Sequence, residues 1–180
     1  MKDRKCVFKP WFAWNPAKIE DYLEEMAASG WMVEKTAFSL MWFQFIKNKP
    51  KKVRYCMDYQ WKPEADYVQI MDDDGWRRVD DASGWILWEK KYSGSRPHIY
   101  TDKRSLIDRN KKIITVIIIS LMAQIPPLSK NAFETLFTRY FGGWSVIGDI
   151  MQAVYFLLVL FVIYGLIRLL LVNRSLQAEL

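Results

Sequence analysis

The sequence predicts an α+β fold class: a duplicated βαββ two-layer sandwich, loosely ferredoxin-like, followed by an α-helical transmembrane hairpin. Three observations lead to this prediction. One segment recurs 45 residues later, apolar residues change from strand to helix spacing in the same order in both copies, and two long apolar runs follow residue 112. Collagen, coiled coil and bulk disorder are excluded, because 16% of the residues are aromatic and only 8 are Gly and 7 are Pro.

The internal repeat is clearest around two Gly-Trp pairs. Residues 21–31 read DYLEEMAASGW and residues 66–76 read DYVQIMDDDGW, so five of the eleven positions are identical. We interpret these segments as parts of two copies of one supersecondary unit, at about 5–48 and 51–92. Together the copies form a domain over residues 1–98.

The first copy is predicted to contain one helix between its first and second strands. Asn15 and Pro16 are typical of a helix start, as N-cap and first helical residue. Gly30 ends the helix, since it adopts the left-handed conformation without a Cβ clash. Apolar residues recur at helical spacing between these ends, at Ile19, Tyr22, Leu23, Met26 and Ala27. The predicted strands of this copy cover residues 5–12, 31–38 and 41–47.

The second copy repeats this order. Its first strand alternates strictly, with Arg54, Cys56 and Asp58 on one face and apolar or aromatic residues on the other. Pro63 opens the helix and Gly75 closes it. Short turns between the strands predict antiparallel hairpins, and both helices are expected to cover one face of the sheet. The predicted strands of this copy cover residues 53–60, 76–81 and 85–92.

Tryptophans are prominent in both copies. Trp31 and Trp76 follow the helix-ending glycines, so each is expected to be buried beneath the helix of its own copy. The strands carry more aromatic residues than one buried face requires, because adjacent strand residues point to opposite faces. An exposed aromatic face would mark a partner site. Alternatively, this face packs against a second copy of the chain or against the juxtamembrane helix. The candidate residues of this partner face are Trp42, Phe43, Trp85 and Trp88.

The net charge of +6 does not indicate a nucleic-acid-binding domain. Residues 1–98 hold 17 Lys and Arg against 15 Asp and Glu, whereas residues 99–112 hold 5 against 2. Nucleic-acid binding needs basic residues clustered on one face. The excess instead lies beside the first apolar run, where a cytoplasmic membrane border places Lys and Arg. We therefore predict a basic juxtamembrane linker or helix over 99–112 and no nucleic-acid partner.

The final segment, 113–180, is predicted to be a two-span membrane anchor. Residues 150–167 carry no charged side chain, which is rare in the core helix of a soluble protein. Residues 113–125 reach only about 20 Å as a helix, short of a hydrocarbon core of about 30 Å. They span if the helix starts at Ile107 or continues through Leu128, and a buried soluble helix is the alternative.

The segment between the two apolar runs places aromatic residues at helical spacing over 131–141. This pattern is typical of an amphipathic helix at the membrane interface, or of a loop helix packed on the hairpin. Seven Lys and Arg flank the outer ends of the two runs, and two lie between them. The positive-inside rule then predicts a multi-pass protein of the cell membrane with both termini in the cytoplasm.

The cysteines and the histidine predict no redox or metal chemistry. Cys6 and Cys56 lie in different predicted strands, and we interpret them as two buried thiols in a reducing compartment. A disulfide is the alternative, but the N-terminal residues carry no apolar signal core. The only histidine, His98, lies in a linker-like segment and is interpreted as incidental.

No catalytic, cofactor-binding or metal-binding residue is predicted. The P-loop, nucleophile-elbow and zinc-protease motifs do not occur in the sequence. Asp72, Asp73 and Asp74 do not match a calcium loop and are interpreted as a solvated helix end, although acidic residues are unfavourable there. The acidic residues of the first helix are also interpreted as a solvated face, namely Glu20, Asp21, Glu24 and Glu25.

The frame of aromatic and acidic residues resembles the family known as domain of unknown function 2812, found in Gram-positive bacteria. The resemblance covers residues of about 5–110 and includes Trp11-Phe12-Ala13-Trp14, Gly30-Trp31, Asp74-Gly75-Trp76 and Gly84-Trp85. It implies a cytoplasmic domain tethered to the membrane by C-terminal spans, often encoded beside a PadR-like repressor. It implies no activity and no catalytic residue.

We therefore expect a non-enzymatic, membrane-anchored interaction or sensory module that uses no cofactor. Its expected partners are the lipid bilayer and an unidentified protein, with a second copy of the chain as an alternative. An accessory subunit of a membrane transporter or stress-response complex is the competing function, in which the spans rather than Trp42 or Trp88 control association. Turnover of a substrate by residues 1–98 would instead indicate an enzyme.

Overall fold

The computed structural model describes residues 3–97, 99, 103–125 and 145–179. The chain forms two compact units, Met1–Arg109 and Asn110–Leu180. In chain order, the elements are β1 (Arg4–Phe8), α1 (Ala17–Ala28), β2 (Trp31–Ala37), β3 (Trp42–Lys47), β4 (Val53–Tyr59), α2 (Ala65–Asp73), β5 (Arg77–Ala82), β6 (Trp85–Lys91), α3 (Lys103–Ala123) and α4 (Ser145–Ala178).

The helices and strands predicted for the domain are all observed, with ends that differ by a few residues. β1 ends at Phe8 rather than at residue 12, because Pro10 lacks the N–H that a strand ladder requires. Pro16 rather than Asn15 is the N-cap residue of α1. Gly30 and Gly75 have φ values of 83° and 80°, which confirms the left-handed helix ends.

The strands form two three-stranded antiparallel sheets, in the orders β1-β3-β2 and β4-β6-β5. The central strand of each sheet is therefore the second strand of its hairpin, β3 or β6. The strand that precedes the helix, β1 or β4, lies at one edge. A bulge interrupts β2 between Val33 and Lys35, and another interrupts β5 between Arg78 and Asp80. The predicted α+β class and the antiparallel hairpins are confirmed. The strands form two separate three-stranded sheets rather than the one sheet of the predicted, loosely ferredoxin-like sandwich.

The larger core lies between α1 and residues of both sheets. Ile19, Leu23, Met26 and Ala27 form the buried stripe of α1 that the helical spacing predicts. They pack in one cluster with residues from both sheets, which include Val33, Phe43, Phe45, Val53, Tyr55, Met57 and Leu87. α1 thus joins the two sheets into a single unit.

A second, smaller core lies on the opposite face of the β4-β6-β5 sheet. Cys56 belongs to this cluster, whereas its neighbours Tyr55 and Met57 belong to the larger one. Since alternate strand residues point to opposite faces, both faces of β4 are covered, and its seven residues are all buried. The second core also contains Met71 of α2, together with Trp76, Ile86 and Trp88. The two helices therefore do not cover one common face.

The two tryptophans that follow the helix-ending glycines have different environments. Trp76 is buried in the second core. Trp31 is only partly buried, and the ammonium groups of Lys47 and Lys5 lie 4.6 and 5.7 Å from the centroid of its ring. The prediction of burial is confirmed for Trp76. It is wrong in degree for Trp31, which packs against the larger core but is only partly buried.

The second unit contains the end of α3 and all of α4. Among the described residues, Asp149–Ala178 is the one helical stretch long and apolar enough to cross a membrane. α3 begins in the basic segment and leaves only residues 113–123 as an apolar helix, about 17 Å long at 1.5 Å per residue. Tyr155 of α4 donates a hydrogen bond to the side chain of Gln124. The interfacial helix predicted over 131–141 lies outside the described residues, as does His98.

Candidate functional site

The four aromatic residues predicted to form a partner face are not brought together on one surface. Phe43 and Trp88 are fully buried, in the larger and the smaller core respectively. Trp85 is partly buried against the larger core, and Trp42 is exposed. The predicted face is therefore wrong for Phe43, Trp85 and Trp88, because the core packing covers these side chains.

Trp85 instead packs in a cluster of aromatic rings. This cluster lies near the turns of the two hairpins and connects the two sheets. Its ring packs edge-on against Trp11 and Tyr59, with centroids 4.8 and 5.3 Å away. Trp11 donates its indole N–H to the carbonyl oxygen of Leu40 over 2.8 Å. The oxygens Ser39 Oγ and Ser83 Oγ, from the two hairpin turns, are 3.4 Å apart. Both hairpin turns therefore lie at the same end of the unit.

Exposed aromatic side chains surround these turns. Phe8 and Trp42 are cross-strand partners with ring centroids 5.9 Å apart, and Phe38 follows the β2 residue that pairs with Trp42. Trp61 lies over the second turn, where a Cβ placed on Gly84 would be 3.2 Å from its ring. The exposed fractions are 55% for Phe8, 78% for Phe38, 40% for Trp42 and 67% for Trp61. We call these four residues the aromatic surface.

The backbone of the first hairpin turn holds Phe38 in its exposed position. Phe38, Ser39 and Leu40 have φ values of 48°, 53° and 61°, in a region that costs non-glycine residues on the order of 1–3 kcal/mol each. This conformation buries Leu40 completely and leaves Phe38 in solvent. Such strain clusters at functional positions, so the exposure of Phe38 is a candidate functional feature.

An ionic cluster lies where α1 crosses β4. Arg54 donates to Glu20 over 2.8 Å and to Glu24 over 2.5 Å. Burial by itself lowers the pKa of Arg54, but the neighbouring carboxylates of Glu20 and Glu24 raise it above its usual value. Glu20 also accepts the backbone N–H of Met57 over 2.9 Å. Because β4 is an edge strand, Glu20 closes a position at which another chain could pair.

The same cluster fastens the chain after β6 to α1. Arg96 donates to Asp21 over 2.6 Å and to Glu24 over 2.9 and 3.2 Å. These carboxylates, Glu24 first, raise the pKa of Arg96. Glu20 is 5% exposed, so the interpretation of the α1 carboxylates as a solvated face is wrong for this residue. One feature of the sequence could have indicated that Glu20 is buried. Arg54, its partner, is a charged residue within a strand of mostly apolar and aromatic residues.

The cysteines are in different states. Cys6 is exposed and Cys56 is buried, and both are free, so the prediction of buried thiols is confirmed for Cys56 and wrong for Cys6. Burial raises the pKa of the Cys56 thiol, and nearby Glu20 raises it further. Because the thiolate is the nucleophilic form, Cys56 is a protonated core residue rather than a reactive one.

The acidic run at the end of α2 is exposed, as predicted for a solvated helix end, and one of its residues, Asp74, also has a structural role. Asp74 is the C-cap residue, and it accepts the indole N–H of Trp76 and the ammonium of Lys90, both over 2.9 Å. The hydrogen bond from Lys90 lowers the pKa of Asp74. Within residues 3–97, 99, 103–125 and 145–179, no three His, Cys, Asp or Glu side chains are arranged to hold a metal ion. Asp74 therefore helps to orient the indole of Trp76, which is part of the smaller core.

These observations define a mixed α+β protein with two antiparallel sheets, an exposed aromatic surface and a C-terminal helix apolar enough to cross a membrane. A family model described as Protein of unknown function (DUF2812) matches residues 15–122, and the chain belongs to this family. The match begins just before α1 and ends within the last turn of α3, and it confirms the resemblance seen in the sequence. No curated protein and no solved structure matches the chain.

Proposed function

We propose that the chain is a non-enzymatic, membrane-anchored interaction module that binds a protein partner through the aromatic surface. The observation that carries this proposal is the exposure of four large aromatic side chains at one end of the first unit. Aromatic residues are enriched at the centres of protein interfaces, where burying them contributes most of the binding energy. The strained turn supports the same role, because it keeps Phe38 exposed.

The repeat supports a duplicated origin of this module. Both halves have the order strand, helix, strand, strand, and both sheets have the same strand order. The bulges after Val33 and Arg78 are 45 residues apart, which is the offset of the sequence repeat. We infer that the first unit arose from two copies of one βαββ unit, of which the first provides most of the aromatic surface.

The partner proposal predicts that truncating the aromatic surface removes association without unfolding the chain. Phe38→Ser combined with Trp42→Ala is expected to lower recovery of crosslinked partners from native membranes about tenfold or more, since truncated interface hot spots cost about 2 kcal/mol or more. Ile70→Ser is the control, because Ile70 is also an exposed apolar residue but belongs to α2 and not to the aromatic surface. Unchanged recovery with the double variant would contradict the proposal.

We also propose that α3 and α4 form a two-span anchor with both termini in the cytoplasm. The support is the distribution of seven basic residues outside the spans against two between them. The hydrogen bond between Tyr155 and Gln124 places the two helices next to each other within the second unit. The apolar end of α3 reaches a spanning length if the span is counted from Ile107, which lies within α3, or if the helix continues through Leu128.

This topology predicts opposite signals from two reporter fusions. A fusion at residue 135 is expected to report a location outside the cytoplasm, and a fusion at the C-terminus a cytoplasmic one. Paired reporters, one active in each compartment, measure both positions. A C-terminal fusion that is active only outside the cytoplasm would show that the chain crosses the membrane once.

An accessory subunit of a membrane complex is the second candidate function, favoured by the apolar length of α4. The stretch Asp149–Ala178 has large apolar side chains exposed on many sides of the helix. Replacing its apolar residues by leucine keeps the length and the membrane affinity but removes specific side-chain contacts. The accessory role would be favoured if the leucine variant no longer recovers the partner by crosslinking while the Phe38 and Trp42 double variant still recovers it.

A further inference from the structure

A cleft of about 330 Å³ lies in the first unit, at the ends of β2, β3, β5 and β6 that are farthest from the hairpin turns. The edge strands β2 and β5 are joined beyond the cleft by Asp80, which accepts the backbone N–H and the hydroxyl of Thr36 over 3.0 and 2.5 Å. Met32, Val33 and Ile46 provide the apolar lining. A volume of this size is at the lower end of the range for small-molecule sites.

The two carboxylates of the cleft are already neutralised by arginines. Glu34 accepts hydrogen bonds from Arg4 over 2.9 and 3.0 Å and from the Gln44 amide over 2.9 Å. Glu89, whose side chain is 4% exposed, accepts from Arg77 over 2.7 and 2.9 Å. The guanidinium of Arg4 lowers the pKa of Glu34, so this group is ionised at neutral pH. Each carboxylate is therefore paired with one guanidinium, although Glu89 Oε2 is buried and makes no hydrogen bond among the described residues.

The two lysines of the cleft are not neutralised in this way. Lys51 and Lys91 are exposed residues of its lining. Within the described part of the chain, neither side chain makes a hydrogen bond or an ion pair. Arg77 adds no free charge to the cleft, because its guanidinium is paired with Glu89 through Nε and Nη2. The cleft thus combines a buried apolar lining with two uncompensated positive charges.

We propose that this cleft binds a small organic anion, a carboxylate or phosphate monoester with a compact apolar body. Lys51 and Lys91 would bind the anionic group, and Met32, Val33 and Ile46 would contact the apolar body. Electrostatic complementarity selects anions over cations, while burial of the apolar body provides affinity. This site is distinct from the aromatic surface, and its existence does not depend on the partner proposal.

The test uses the full chain in phosphatidylcholine nanodiscs, with empty nanodiscs as the background. Saturation-transfer difference NMR measures binding of phenyl phosphate and phenylacetate, and of benzyl alcohol and benzylamine as neutral and cationic counterparts. We expect both anions to bind more tightly than benzyl alcohol, benzylamine to bind least, and anion binding to weaken as salt is raised. Binding of only one anion also supports the site and identifies the group that it prefers.

The variant that tests the site is Lys51→Met with Lys91→Met, which is expected to weaken anion binding about tenfold, corresponding to two partly exposed ionic contacts. Lys49→Met with Lys52→Met is the matched control, since it removes the same charge from neighbouring residues that do not line the cleft. Three results would overturn the proposal: no anion signal above that of empty nanodiscs, equal binding of benzyl alcohol and the anions, or equal losses in the two double variants.

Discussion

Replacing Arg54 by Ala is expected to lower the free energy of unfolding of the first unit by about 3–5 kcal/mol, the usual cost of removing one partner from a buried ion pair. The side chains of Arg54 and Glu20 are 8% and 7% exposed, so the variant would leave the Glu20 carboxylate buried without its cation. Most domains have only about 5–15 kcal/mol of stability. Urea denaturation of the full chain, followed by tryptophan fluorescence, measures the effect.

Arg96→Ala provides the comparison for this prediction. Arg96 binds the same Glu24 carboxylate as Arg54, but its side chain is 41% exposed. Exposed ion pairs contribute about 0–1 kcal/mol, so this variant is expected to unfold at nearly the same urea concentration as the wild type. Equal, large losses in both variants would show that Glu24, rather than the buried contact of Arg54 with Glu20, is the stabilising member of the cluster.

Replacing Trp88 by Ala is expected to destabilise the first unit by about 3–5 kcal/mol, because it leaves a cavity in a core that cannot close around it. Trp88 is fully buried in the smaller core, and its ring centroid lies 6.0 Å from that of Tyr67. Trp76→Ala is expected to have a similar effect, since Trp76 belongs to the same cluster. The same urea denaturation measures these losses.

Trp42→Ala is the control for the buried tryptophans, and a loss below about 1 kcal/mol is expected, as for most surface substitutions. Trp31→Ala is expected to give an intermediate loss, because Trp31 is partly buried and covered by lysines. A loss for Trp42→Ala as large as that for Trp88→Ala would show that Trp42 is part of the core. The aromatic surface could then no longer be treated as a free binding surface.

Much of the candidate site could not be predicted from the strand pattern. The adjacent residues Trp42 and Phe43 point to opposite faces, as predicted, but the pattern does not say which face another element covers. Trp88 is a surface candidate only if α2 lies on the same face as α1, which is what the strand and helix pattern predicts. The structure places α2 on the other face of the β4-β6-β5 sheet, and Trp88 is therefore core.

The sequence by itself determined the local structure: the order of helices and strands, the antiparallel hairpins, the helix-ending Gly30 and Gly75, and the apolar helix near the C-terminus. These features depend on residues close together in the chain, through periodicity and backbone preference. It also carried enough of the family pattern to be assigned correctly.

Only the tertiary structure decided which side chains are buried and which surfaces remain free. Glu20 and Arg54 are 34 residues apart in the chain, and the cleft brings together Met32, Lys51 and Lys91 from separate segments of the chain. Local periodicity says which residues share a face, whereas burial depends on the element that packs against that face. That packing is set by contacts between distant segments, which is why the separate sheets, the buried ionic cluster and the exposure of Phe38 were visible only in the folded chain.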